Sequence, residues 1–310
     1  MGYRFKRTDE SVADGARRIA IEQIDKAIAE IDDTALDRHV AVHQVRKRCK
    51  KLRGLVRLIR PSFPDYAKEN AAFRDAAREL SGLRDTEALL EAYDSLTGLH
   101  EDQIDRQAFG SIRRRLTLRQ KQVKDDDIDR KLAGFREQMV LAKVRALRWQ
   151  IEDDGAETFA DGLAKTYARA RKAMRTTRKD PTAETFHDWR KRVKYHGYHA
   201  RLLAPVWPEP MTVHVDAAAT LADLLGDHHD LDVFEATLRE EPDAFGDPKD
   251  IEVFLALIGR RRTSLEHDAF ALGDRLLAET DRALAERWTA YWHAWGREGA
   301  EATEKTSLAA

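Results

Sequence analysis

The chain repeats itself, and that constrains it more than any other feature. His43-Gln-Val-Arg46-Lys47-Arg-Cys-Lys50 returns 144 residues later as His187-Asp-Trp-Arg190-Lys191-Arg-Val-Lys194. The match continues at the same offset through Arg57 and Arg201, Leu58 and Leu202, Pro61 and Pro205, Phe63 and Trp207, and Pro64 and Pro208. Upstream, Glu10-Ser-Val-Ala13-Asp14-Gly15 answers Glu157-Thr-Phe-Ala160-Asp161-Gly162; downstream, Leu80-Ser-Gly-Leu-Arg84-Asp85 answers Leu225-Gly-Asp-His-His229-Asp230. The sequence is two copies of one unit in the same order. The first spans 1–150 and the second 151–298, with 299–310 expected as a disordered tail because Leu308 is its one large apolar residue.

The unit is helical. Charged residues make up 35 % of the chain and only 8 of the 310 residues are Pro, the composition of long amphipathic helices. The punctuation predicts helices near 9–32, 36–60, 65–97, 101–123 and 127–150 in the first copy, and near 155–178, 182–204, 210–239, 248–267 and 270–297 in the second. Pro61 and Pro205 stop the second helix of each copy, and Asp180-Pro181 reads as a cap and first helical position. Short connections predict antiparallel bundles, giving an all-α fold.

Bulk charge points to no partner, because 54 basic and 55 acidic side chains leave a net charge of −1. The single Cys49 can form no intrachain disulfide, and no cysteine cluster is available for zinc. Residues 1–10 lack the apolar core of a secretion signal, and no apolar run approaches the ~20 residues of a membrane span. These features predict a soluble, unexported, cytoplasmic protein.

The charge signal is local. On a helix of 3.6 residues per turn, Val42, Val45, Cys49, Leu52, Val56 and Ile59 form one apolar stripe. His43, Arg46, Lys47, Lys50, Arg53 and Arg57 fall in a separate sector about 120° wide. From His43 to Arg60 there are eight Lys or Arg residues and no acid. In the second copy His187, Arg190, Lys191, Lys194 and Arg201 keep the same relative angles, Gly197 replaces the cation at Arg53, and Trp189, Val193, Ala200 and Leu203 supply the apolar side. A solvated helix face normally mixes signs, since like charges one turn apart repel. Two purely basic stripes imply an anionic ligand that relieves the repulsion. His43 to Arg57 rises about 21 Å, longer than a single phosphate, so an extended chain of phosphates fits. Two such stripes facing across a pseudo-dyad would make a groove or pore, with Arg forks and Lys point charges both available.

Arg113, Arg114 and Arg115, answered by Arg260, Arg261 and Arg262, are secondary candidates, although consecutive arginines splay and only one or two of each triplet face inward. Arg169, Arg171, Lys172 and Arg175 are comparable. His43 and His187 are expected to be partly protonated near neutrality, with binding tightening from about pH 8 to about pH 6.

The paired His-x-x-Arg-Lys-x-x-Lys segments, each followed by Arg and then Pro, resemble the signature of the CHAD domain, the conserved histidine α-helical domain. The Tyr3-Arg4-Phe5 start and Leu83-Arg84-Asp85 are also similar, and the resemblance runs from about residue 5 to 297. It implies two pseudo-two-fold-related antiparallel helical bundles whose histidine-bearing helices line a central basic cleft for inorganic polyphosphate, together with an association with polyphosphate granules. The contacting set it implies is His43, Arg46, Lys47, Lys50, Arg53, Arg57, His187, Arg190, Lys191, Lys194 and Arg201. Departures at Gly197, Tyr195-His196 and His228-His229 bear on the symmetry of the site.

Two rivals stand beside this. One is an enzyme or accessory of polyphosphate or triphosphate metabolism, since some CHAD proteins are fused to a CYTH triphosphatase domain. This chain has no room for one and lacks the alternating Glu-x-Glu-x-Lys of that partner, Gly-x-x-x-x-Gly-Lys and His-Glu-x-x-His, so neither catalysis nor a cofactor is expected. The other is a general polyanion or nucleic-acid binder, against which stands the absence of aromatic platforms in the first stripe. Asp227-His228-His229-Asp230-Leu231-Asp232 is the one tempting metal site. Adjacent histidines point about 100° apart, so an extra groove contact or local polar decoration is preferred there.

Overall fold

The computed structural model of the protein describes residues 2–81, 85–99, 109–121 and 125–308, with side chains at 2–81, 88–99, 109–119 and 127–299. Local capping sets the helices in place. Ser11 accepts the Asp14 N–H and opens α1 (Val12–Asp32). Asp37 accepts the N–H groups of His39 and Val40 and opens α2 (Arg38–Leu58). There follow α3 (Tyr66–Glu79), α4 (Asp85–Leu99), α5 (Gly110–Lys121) and α6 (Asp125–Ala146) in the first copy. The second copy holds α7 (Ala160–Lys179), α8 (Ala183–Leu203), α9 (Pro208–Glu240), α10 (Pro248–Leu276) and α11 (Asp281–Leu308). No strand occurs among the described residues.

The all-α expectation holds, with several differences in punctuation. Residues 65–97, expected as one helix, are α3 and α4. The Ser81 hydroxyl donates to the Arg78 carbonyl at 2.7 Å, a side-chain bond that competes with continuing the helix. The cap of α8 is Thr182, in a reciprocal capping box with Thr185, and not Asp180 with Pro181 as first helical residue. Nothing in His267-Asp268-Ala269-Phe270 breaks a helix, so α10 runs on to Leu276, and Thr280 caps α11 by accepting the Ala283 N–H at 3.1 Å. The backbone of α11 is helical as far as Leu308, taking in most of the segment expected as a disordered tail. The Leu83-Arg84 part of the Leu-Arg-Asp segment lies outside the described residues.

The repeat boundary divides the sequence and not the core. One large apolar cluster takes in Ile19, Leu52, Phe73 and Phe135 from the first copy and Leu163, Trp189, Leu221 and Trp288 from the second. A smaller cluster joins Tyr93, Leu96, Ile112 and Leu116 of α4 and α5 to Phe234, Leu238, Phe254 and Ile258 of α9 and α10. The 33 residues of α9, about 50 Å long, run through both clusters.

Two close approaches fix the frame. Helices α2 and α8 cross where Gly54 meets Tyr198: a Cβ on Gly54 would lie 2.9 Å from the Tyr198 Cβ and from the Tyr3 hydroxyl. The His199 ring nitrogen Nε2 sits 3.0 Å from the Gly54 carbonyl. Gly162 of α7 presses on the last turn of α2, where an added Cβ would overlap the Leu58 carbonyl oxygen.

Candidate functional site

The apolar stripes are where periodicity puts them. Val42, Val45, Cys49, Leu52, Val56 and Ile59, and Trp189, Val193, Ala200 and Leu203, are all buried. That rotation settles the cations. His43, Arg46, Lys50 and Arg53 are half-buried, Lys47 is exposed and Arg57 is buried; His187, Arg190 and Lys194 are half-buried, and Lys191 and Arg201 are exposed.

Helix α3 flanks the first stripe. Arg46 donates to the Ala77 carbonyl, and Arg53 Nε donates to Asn70 Oδ1 at 3.3 Å. Helix α9 flanks the second stripe in the corresponding way. The Arg190 guanidinium lies against Gly226, where a Cβ would stand 3.1 Å from Nη2, and the His187 ring lies 4.3 Å from that of His229.

The stripes meet at the α2–α8 crossing. Gly54 and Tyr198 are themselves 144 residues apart, so equivalent positions touch each other. The contacts around them exchange under the same offset. Arg57 stacks 4.0 Å over the Tyr195 ring, and at the equivalent positions Arg201 bears electrostatically on Lys51. Arg57 donates to the Arg53 carbonyl at 3.0 Å; burial lowers its pKa, Tyr195 opposes that, and Arg53 and Arg192 push it down further. Burial, then Arg48, Lys47, Arg201 and Lys26, push the Lys51 ammonium down to about 8. Sequence reading left Lys51 out and met Tyr195 only as a departure from the family pattern, because both lie outside the sector of about 120° and only the crossing brings them to it.

An acid borders the second stripe, about 60° outside its sector. Asp188 sits one turn before its cations and pairs with Lys191 at 3.2 Å and Arg192 at 3.1 Å. His187 is not partly protonated near neutrality. Burial, then His229, Lys191 and Arg190, push it down to about 4, and His229 is lowered by burial and Arg190. Tightening of binding between about pH 8 and about pH 6 therefore cannot come from His187 in the free protein.

Several secondary candidates are held by carboxylates. Arg113 makes a forked pair with Asp94 at 2.9 and 3.1 Å, Arg115 approaches Glu241 at 3.8 Å, and Arg262 pairs with Asp232 and Glu235. Arg171 donates to the Leu277 carbonyl and approaches Asp281 at the start of α11. Arg114 and Arg260 are exposed, and Arg261 lines a cavity of about 160 Å³ with Glu91, Asp227 and Asp230. His228 is buried against Phe186, its ring nitrogens 3.0 Å from Asp232 and Glu266, while His229 faces His187. Among the described residues no three His, Cys, Asp or Glu side chains gather as metal ligands would.

Buried neutral histidines give the molecule a predicted acid lability. His199 is pushed down to about 3 and His214 to about 4, chiefly by burial, and His196, 2.7 Å from His214, is lowered well below its ordinary value by burial and then by His214 and His199. An unfolded chain binds protons on these rings below about pH 6.5 and the folded chain does not, so stability is lost as pH falls from there toward the folded values. Each such group costs about 1.4 kcal/mol per pH unit, and His196 and His214 titrate as one pair. Urea unfolding should show a loss of about 2–4 kcal/mol between about pH 7 and about pH 5, diminished in a His199→Gln/His214→Gln variant.

The model of the CHAD domain family matches residues 18–239. The chain belongs to the CHAD domain family. Comparison with curated proteins finds none that matches. Among solved structures, the crystal structure of the CHAD domain from the plant Ricinus communis is similar over 94% of this chain and 96% of that one, with a TM-score of 0.57 and 16% identity. A likeness over 94% of the chain extends the shared fold beyond the family match. In this CHAD domain no helix among the described residues is long and apolar enough to cross a membrane.

Proposed function

We propose that this CHAD domain binds inorganic polyphosphate, without turning it over, along the cations of α2 and α8 in a pseudo-symmetric cleft centred on their crossing. The observation that carries the reading is the crowding of like charge at that crossing. Burial first, and then Arg48, Lys47, Arg201 and Lys26, destabilise Lys51 as a cation; burial first, and then Arg53 and Arg192 against the opposing Tyr195 and Tyr66, do the same to Arg57. A helix crossing gains nothing from such repulsion, and a polyanion relieves it. Membership of a family associated with polyphosphate and triphosphate binding selects the phosphate chain among polyanions. The carboxylate beside the second stripe, Asp188, is engaged by Lys191 and Arg192, which supports binding in place of metal-assisted hydrolysis. The proposed setting is the cytoplasm, at polyphosphate granules.

Competition tests the reading. Long-chain polyphosphate should displace a labelled polyphosphate at a phosphate concentration at least about tenfold below that needed with single-stranded DNA or RNA, and the affinity should grow with chain length. Equal competition would reduce the protein to a general polyanion binder, and release of orthophosphate from the bound chain would make it an enzyme.

A further inference from the structure

The inner face of α6 is fully used: Leu132, Phe135, Met139, Ala142 and Ala146 are buried in the large core. Its outer face is apolar as well. Val140 is 42%, Leu141 63%, Val144 48% and Leu147 58% exposed, and all four lie in one sector of the helix. Leu147 stays on that sector because its N–H still bonds the Lys143 carbonyl at 3.1 Å. Glu137 and Arg148 flank the patch, both exposed, one at either end.

The fifth helix of the other copy provides an internal comparison. At its solvent face α11 shows Arg282, Ala283, Glu286, Ala290 and His293. The same position in the repeat therefore needs no Val or Leu outside to fold, and the four on α6 are surplus to the monomer.

We infer that two copies of this chain associate through the outer face of α6, with the two helices antiparallel. The patch is complementary to itself in that orientation alone. With the two-fold axis near Ala142 and Lys143, Leu141 of one copy meets Val144 of the other, and Glu137 meets Arg148 at both ends. A parallel arrangement sets Glu137 against Glu137 and Arg148 against Arg148. One helix face from each copy falls short of the ~800 Å² per partner of a standard interface, so the dimer is weak, with a dissociation constant on the order of micromolar to a few hundred micromolar.

Sedimentation of the full chain over a concentration series, without polyphosphate, is the test. The mean mass should rise from one chain toward two. It should stay at one chain in Leu141→Glu/Val144→Glu, a change at exposed positions that should leave the thermal melt unaltered. Glu137→Arg should weaken association by about tenfold, and Glu137→Arg/Arg148→Glu should restore it. The inference is overturned if the wild type stays monomeric up to about 1 mM. It is also overturned if Leu141→Glu/Val144→Glu associates as well as the wild type, or if the charge swap restores nothing.

Discussion

Reversing Lys47 and Lys191 to Glu in one chain should weaken polyphosphate binding by about two orders of magnitude and leave the fold intact. Both side chains are exposed, so their replacement opens no cavity and buries no charge. A charge pair at about 4 Å is worth about 1 kcal/mol in water and several times that near a protein surface, and reversal converts each attraction into a repulsion. Salt screening trims the total to about 3 kcal/mol, or about 100-fold. By analogy with counterion release from nucleic acids, the slope of log affinity against log salt should flatten by about 1.5 units for two lost contacts. The same change in net charge placed at the exposed Lys249 and Arg282, remote in sequence from both stripes, should cost less than about threefold. Equal loss in the two variants would mean that net charge, and not a site, attracts the ligand.

The other large effect belongs to the frame. Gly162→Ala should destabilise the protein by more than about 3 kcal/mol or prevent folding, measured by urea denaturation. The atoms an added methyl would meet are the Leu58 carbonyl, its carbon and the Arg57 carbonyl, all main chain in the last turn of α2. They move only if α2 and α7 part, which also displaces Arg57 from Tyr195. Its partner in the repeat, Gly15, faces the Phe5 ring and the Asp9 carboxylate, which have rotamers to yield, so Gly15→Ala should cost about 1–2 kcal/mol. Equal effects at the two sites would show that the α2–α7 contact is looser than the structure has it.

Much of this was legible in the amino-acid order because helical periodicity is local. The rotation of α2 and α8 follows from where Val45, Cys49 and Leu52, or Trp189 and Val193, recur, and it places the cations on the opposite side. Local patterns carry no information on how helices cross. Lys51 lies outside the basic sector and joins it only because Gly54 lets Tyr198 approach; His187 reads as a titrating residue until α9 covers it with His229. The carboxylates that capture Arg113 and Arg171, Asp94 and Asp281, come from other helices. Asp188 was visible all along, one residue after His187, and its pairing with Lys191 one turn on follows from spacing alone.

The continuous interior described above has a bearing on how such a chain can change over generations. With one oily interior shared between them, neither unit can be deleted without stranding the other, so the pair is passed on as one. Positions outside that interior are at liberty to differ between the units, as Arg53 and Gly197 do, and a row of charge that would otherwise be even thereby acquires a direction.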